Sequence, residues 1–375
     1  MKLIHFSDTH LGFADYTKID PEMGINQREA DVYRAFSQVT EYIEKNPPDI
    51  IIHSGDLFET PRPSNRAINF ALRELFKLSQ IGIPLILISG NHSAPRVKSS
   101  SSIFEAFRIF DNVYPVYSSK YEEIVVKDIA FHCIPHVPTE EELHAAFASI
   151  RPSLKAKYNV IVSHTGVTAD VQYKMGEFNE LMTPFATLAE KKNFDYIALG
   201  HYHKYHTLTK NACYSGSTER FSFREADEKK GFIEADLSNG RFKFIPITVR
   251  EMAIFNPIDC QGLNVKDIES EVEIQTKGKT KDKIVQITFD NIQRHLYVEL
   301  NFQRLKKITA DALYAKWVIN WAAEKGMGVI PTAIGTLPAE FENFLHLQKF
   351  KDLNKEKLLR MGLSYLSSVQ EQEEA

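Results

Sequence analysis

Metal-type side chains recur in five short blocks of this chain, and each block closes an apolar run of strand character. They are Asp8 and His10 in FSDTHLG, Asp56 in HSGDLF, Asn91 and His92 in ISGNH, His164 in IVSHTG, and His201 with His203 in ALGHYH. A lone histidine at a strand end is usually a hydrogen-bonded structural residue. Five blocks in series, with Asp and Asn among them, imply instead that the strand ends of one sheet hold two cations. The carboxyl ends of strands are the expected binding edge of an α/β sheet.

The runs that carry the blocks have little polar alternation, so they read as strands buried on both faces. They cover 2–6, 49–53, 84–88, 129–134, 160–163 and 196–199. Between them, Val32, Phe36, Val39 and Ile43 recur at spacings of 4, 3 and 4, one face of an amphipathic helix, and 69–78 reads the same way. The fold class is therefore α/β. Beyond residue 249 the pattern changes to a strand over 283–289 and a helix over 310–323, preceded by a lysine-rich stretch at 277–283. Two short amphipathic helices follow, over 339–347 and 354–367, before an acidic tail. At 375 residues the chain is long for one core. The expected organisation is a core over 1–249, a smaller α/β domain over 250–330 and terminal helices over 331–375.

Imidazole and carboxylate donors together suit manganese, iron or zinc better than calcium, which prefers oxygen alone. Asp8 and His10 are one residue apart, so in an extended segment both would point to one side, and His201 with His203 repeats that spacing. Asp56, in a glycine turn, is placed to bridge two ions. A pair of cations roughly 3.5–4 Å apart is a standard apparatus for phosphoester hydrolysis, and His92 would then contact the phosphate or protonate the leaving oxygen. His5, His53, His132 and His136 match no ligand slot and read as structural, with His53 close enough to Asp56 to support it.

The net charge of -4 excludes a grossly basic DNA-coating protein. Cys133, Cys213 and Cys260 are few and widely spaced, so a reducing cytoplasm is expected rather than a disulfide framework. The sequence opens directly on a strand with no signal peptide, and no run is long enough to span a bilayer.

In this order D-x-H, G-D, G-N-H, H and G-H-x-H resemble the calcineurin-like metallophosphoesterases, whose core is a sandwich. KLIHFSDTHLG, GDLFETPRPS and YSGSTERFSF narrow the resemblance to SbcD-type nucleases, the bacterial and archaeal counterparts of the meiotic-recombination nuclease of double-strand break repair. It covers the chain in outline from Met1 to about Ser368. The resemblance implies one cation held by Asp8, His10, Asp56 and His203, the other by Asp56, Asn91, His164 and His201, with His92 catalytic. It implies manganese-dependent exonuclease and endonuclease action on duplex ends, single strands or hairpins. It further implies a capping domain, a homodimer (through helices near 68–78 and 103–107), and C-terminal helices that bind an SbcC-type coiled-coil ABC ATPase. A cytoplasmic, nucleoid-associated location follows. Two positions depart from the family: Ser93 stands where an aspartate commonly follows the G-N-H, and Glu59 where some relatives carry a phosphate-positioning histidine.

Arg62, Arg66, Arg96 and Lys98 follow the Asp56 and Asn91 turns and are candidates for DNA phosphate contacts, as are Lys277, Lys279, Lys281 and Lys283. Phe341, Phe344, Leu345, Leu358, Leu359, Met361, Leu363 and Leu366 give the terminal helices apolar faces for a partner. Two other functions compete. A phosphatase or phosphodiesterase for a smaller substrate shares the chemistry, although GDLFETP and GNHSAP lack the protein-phosphatase pattern. A DNA-tethering subunit with little hydrolysis is the other, motivated by Ser93 and Glu59.

Overall fold

Strands whose every residue is apolar have two faces to bury, and the chain answers this by stacking two sheets between two layers of helix. The computed structural model describes residues 1–93, 102–168, 180–323, 341–342, 344–345 and 355–363. Strands β1 (Lys2–Phe6), β2 (Ile50–His53), β3 (Leu85–Ile88) and β4 (Val113–Val116) pair side by side in parallel. The second sheet contains β5 (Glu122–Val126), β6 (Ile129–Ile134), β7 (Tyr158–His164), β10 (Tyr196–Gly200), β11 (His206–Thr209) and β12 (Ala212–Tyr214), in the order β11-β12-β10-β7-β6-β5. A two-stranded ribbon of β8 (Gly166–Thr168) and β9 (Met182–Pro184) interrupts it in sequence. The chain then returns to the first sheet, where β13 (Gly231–Asp236) pairs antiparallel with β1 and β14 (Arg241–Pro246) forms the edge.

Side chains follow the period of two that strands impose. Ile50 and Ile52, Ile86 and Ile88, Val160 and Val162, and Tyr196 and Ala198 meet in one core between the sheets. Their neighbours Ile51, Leu85 and Leu87 turn outward, onto α1 (Gln27–Lys45) and α2 (Asn65–Gln80). There Val32, Phe36, Val39 and Ile43 are all buried, as their spacing requires. On the far side Ile161, Ile197 and Leu199 pack with Leu143 and Phe147 of α3 (Glu140–Ser149) and with Leu188 of α4 (Phe185–Ala189). The result is a mixed α/β sandwich. The chain's three cysteines are buried and unpaired, Cys133 and Cys213 in the sandwich and Cys260 beyond it.

From Met252 a separate sheet begins, with β15 (Met252–Ile254), β16 (Ile258–Asp259) and β18 (Tyr314–Trp321) all parallel to the central β17 (Ile284–Ile292). Helices α5 (Val265–Thr276), α6 (Arg294–Glu299) and α7 (Phe302–Ile308) accompany it, with Ile268, Val272, Leu305, Ile287 and Phe289 in its core. The helix expected over 310–323 is instead strand β18. Its Trp317 and Ile319 sit opposite Ile287 and Phe289, and that alternation buries an aromatic and a β-branched residue which a helix would place on different faces.

The chain divides into two compact units, Met1–Trp321 and Ala322–Ala375. In the second, residues 341–342, 344–345 and 355–363 are helical, and Gly362 lies against the Phe341 ring. Among the described residues, no helix is long and apolar enough to cross a membrane.

Candidate metal centre

The five blocks follow or close β1, β2, β3, β7 and β10. This corrects the expectation of a single sheet: three strand ends come from the first sheet and two from the second, and the residues converge at one end of the sandwich. A sandwich edge of this kind collects donors from two directions, which a single sheet edge does not.

The local backbone also differs from the extended geometry expected for D-x-H and H-x-H. Asp8, His10, Asp56 and His201 have φ of 50°, 44°, 53° and 105°. Non-glycine residues in this left-handed region carry a cost of order 1–3 kcal/mol each and persist where surroundings over-determine them. Here the over-determination is visible. The loop after β1 stays paired to the loop after β2 through Asp8 N–H to Gly55 O (3.0 Å), Thr9 N–H to Asp56 O (2.9 Å) and Leu11 N–H to Leu57 O (2.8 Å). Asp8 accepts the backbone N–H of His201 at 3.0 and 3.2 Å, and Asp56 accepts that of His92 at 2.9 Å. Two glycines make room. A Cβ on Gly55, itself at φ 109°, would stand 2.2 Å from His164 Nδ1, and one on Gly90 would stand 2.3 Å from Asp56 Oδ1.

Three donor groups have their ligand atoms within 4.8 Å of one another: the buried sets Asp8, His10 and His203, and Asp8, Asp56 and His164, and a half-buried set of His10, Glu59 and His92. His10 Nε2 and His203 Nε2 face each other at 3.2 Å. His164 Nε2 lies 3.1 Å from Asp56 Oδ2 and 2.9 Å from Asn91 Oδ1. The His201 ring sits beside His164, centroids 5.4 Å apart, with its Nε2 3.3 Å from Glu180.

Outer partners hold several of these rings by the opposite nitrogen. His164 Nδ1–H donates to Ser54 O at 2.9 Å and His203 Nδ1 is 3.3 Å from Glu225 Oε1, while His10 Nδ1 lies 2.9 Å from Glu59 Oε2 at ion-pair distance without hydrogen-bond alignment. Carboxylate or carbonyl on one nitrogen, with the other turned into the site, is the arrangement of metal-bound histidine. The donor set therefore fits divalent cations. Burial works against charge on His164, yet the Asp56 and Asp8 carboxylates hold its pKa up to about 9. Burial likewise opposes ionisation of Asp56, and His164 overrides it, keeping the carboxyl well below its usual range.

His92 lies at the margin of the centre, its ring perpendicular to His10 with centroids 4.8 Å apart. Its Nδ1–H donates to the Glu59 carbonyl at 2.9 Å. Ser93 is buried, and its Oγ has no hydrogen-bond partner among the described residues. Arg62 lines a shallow groove with Pro61, Pro63 and Ile103, while Arg66 pairs with Glu29 at 2.8 Å. Arg96 and Lys98 lie outside the described residues. His5, His132 and His53 bond to Tyr196, Asn159 and Thr9 respectively.

The YSGSTER stretch acts from behind the ligands. Ser215 Oγ lies 2.8 Å from Ser7 Oγ, which donates to Asp8, and Ser217 N–H donates to His203 O at 2.9 Å. Buried Lys230 adds a bond to His203 O (2.9 Å) and one to Glu225 (2.6 Å). Glu225, Lys230 and Glu180 are not apparent in the sequence reading. Glu225 and Lys230 sit in the charged run SFREADEKKG, whose composition reads as a solvated turn.

The fold and this donor set define a metal-dependent phosphodiester hydrolase. The family model for calcineurin-like phosphoesterases matches residues 1–205, and the chain belongs to that family. Similar proteins include the DNA double-strand break repair protein Mre11 of Saccharolobus solfataricus, 28% identical over 72% of this chain and 68% of that one. The protein of the same name from Methanococcus maripaludis is 27% identical over 80% of each chain. That of Sulfurisphaera tokodaii is 32% identical over 54% of this chain and 49% of that one. The SbcD-type resemblance is borne out by these relatives.

Proposed function

We propose that this protein is a DNA end-processing nuclease that uses two divalent cations, manganese foremost. The observation that carries the reading is the convergence of the five strand-end blocks on one buried set of imidazole and carboxylate donors. Asp8, His10, Asp56 and His203 would hold one cation, and Asp56, Asn91, His164 and His201 the other. Such a pair orients a phosphodiester and supplies charge to its oxygens.

The chain's own groups do the rest. Asp8 is common to the two buried donor groups, and Asp56, the residue that would bridge the cations on this reading, has its carboxylate fixed by the His92 N–H. With its Nδ1–H donated to the Glu59 carbonyl, His92 would use Nε2 to protonate a leaving oxygen. The direction toward DNA is supported by relatives named for double-strand break repair. On this reading the organisation is 1–249 nuclease core, 250–330 capping domain and 331–375 binding an SbcC-type ATPase. The protein acts as a cytoplasmic homodimer, with Arg62, Arg66, Arg96 and Lys98 toward the DNA backbone.

The test is cleavage of linear and hairpin-ended duplex with manganese, with and without the ATPase and ATP. Manganese-dependent degradation is expected, with His92→Gln abolishing cleavage while retaining DNA binding. Absence of cleavage under every metal and partner condition would sink the nuclease reading.

A further inference from the structure

Glu59 touches the site twice, by two different groups. A parallel bridge between Leu11 and Phe58, and a bond from Glu59 N–H to Leu11 O at 3.2 Å, pin its backbone beside the loop that carries His10. From there the carboxylate reaches His10 Nδ1 at 2.9 Å, an ion-pair distance, while the carbonyl accepts His92 Nδ1–H at 2.9 Å. His10, Glu59 and His92 form a donor group within 4.8 Å.

We infer that Glu59 is a positioning residue, setting His10 with its carboxylate and His92 with its carbonyl so that the two rings keep a fixed mutual geometry. The inference rests on the reading of the centre as a two-cation phosphodiesterase site. His10 turns Nε2 toward His203 Nε2, and the Glu59 carboxylate stands 2.9 Å from Nδ1, at ion-pair distance though out of line for a hydrogen bond, so it favours this orientation of the ring by charge. The His10 and His92 rings pack edge to face, with centroids 4.8 Å apart. The carbonyl that orients His92 comes from the backbone, so an aspartate at position 93 is unnecessary for that task, and Ser93 is buried there with no hydrogen bond from its Oγ among the described residues. The two departures from the family pattern are in this way coupled: one residue holds both rings.

The experiment is manganese titration calorimetry on the full chain as wild type, Glu59→Gln, Glu59→Ala, His10→Ala and His10→Ala with Glu59→Ala. Two bound ions are expected for wild type. Glu59→Ala should weaken one of them by roughly 10–100-fold, the usual effect of losing an outer partner, with Glu59→Gln between Ala and wild type. In the His10→Ala background Glu59→Ala should add nothing. Circular dichroism and thermal melts of Glu59→Gln, which preserves shape, separate a folding defect from an effect at the site. Unchanged affinity in both Glu59 variants, or an undiminished effect without His10, overturns the inference and leaves the parent reading standing; the second result would make Glu59 a direct ligand. A wild type that binds no manganese overturns both.

Discussion

Asp56 would bridge the two cations on the proposed reading, and its two oxygens face the His92 N–H and His164 Nε2. Asp56→Ala should remove both cations and reduce phosphodiester hydrolysis by more than the roughly 100-fold that an outer partner costs; retained activity would contradict the assignment. Gly55 shows the same dependence from the other direction. Gly55→Ala forces a side chain into left-handed backbone and into the His164 ring, so a loss of about 1–3 kcal/mol is expected, accompanied by weaker manganese binding. Thermal melts and titration of the same preparation check both parts. The residue types of this centre are legible from sequence because cation chemistry demands them. Their conformations are not: a D-x-H spacing read as a strand places both side chains on one side, whereas left-handed Asp8 and His10 reach their places through a turn. Lys230 is hidden for a similar reason, since its burial depends on a carboxylate and a carbonyl that only the folded chain brings to it.

At the scale of elements, strand β1 ties the two sheets together through one buried histidine. His5 bonds to Tyr196 of β10 at 2.9 Å and to Ser54 beyond β2 at 2.8 Å. Burial drives its pKa down to about 3. The unfolded chain protonates His5 below about 6.5 while the folded chain does not, so stability is complete above that pH. It should fall by roughly 1.4 kcal/mol per pH unit, from this group alone, as pH drops from about 6.5 toward 3. Urea unfolding between pH 7 and 5 should therefore show a slope that His5→Gln flattens; an unaltered slope would mean that other groups carry the acid sensitivity. Strands such as β2 and β3 are legible because they are short aliphatic runs, broken only by His53, with every residue buried. Strand β18 is not, because its pattern of burial is partial and its faces are decided by pairing with β17, made far away in sequence.

For the molecule as a whole, the contact that matters between the sandwich and the sheet of β15–β18 is a salt bridge across 219 residues of sequence. Arg250 grips Asp31 of α1 with two bonds, at 2.6 and 2.8 Å, and donates to Asp282 O just before β17 at 2.6 Å. Asp31 is shared with buried Arg28 at 2.9 Å, and Arg28 donates to Arg220 O. The next residue, Phe221, packs its ring on His10 and His203, at centroid distances of 4.7 and 5.2 Å. Stacking of Tyr16 on Tyr314 at 3.8 Å and a bond from Lys18 to Ala312 O at 3.3 Å join the same two regions at a second point. No local periodicity connects Asp31 with Arg250, so this arrangement enters only with the fold. Arg250→Ala removes three charge-assisted bonds but leaves Asp31 paired to Arg28, which limits the damage to about 1.5–3 kcal/mol. Because the lost bonds hold the smaller sheet, the loss should be local. Hydrogen exchange in β15–β18 should accelerate while β1–β3 keep their protection, and Tyr16→Ala should add to the effect through the second point of contact. Uniform acceleration across both sheets would mean that the Arg250–Asp31 bridge supports the sandwich itself rather than the placement of the sheet beside it.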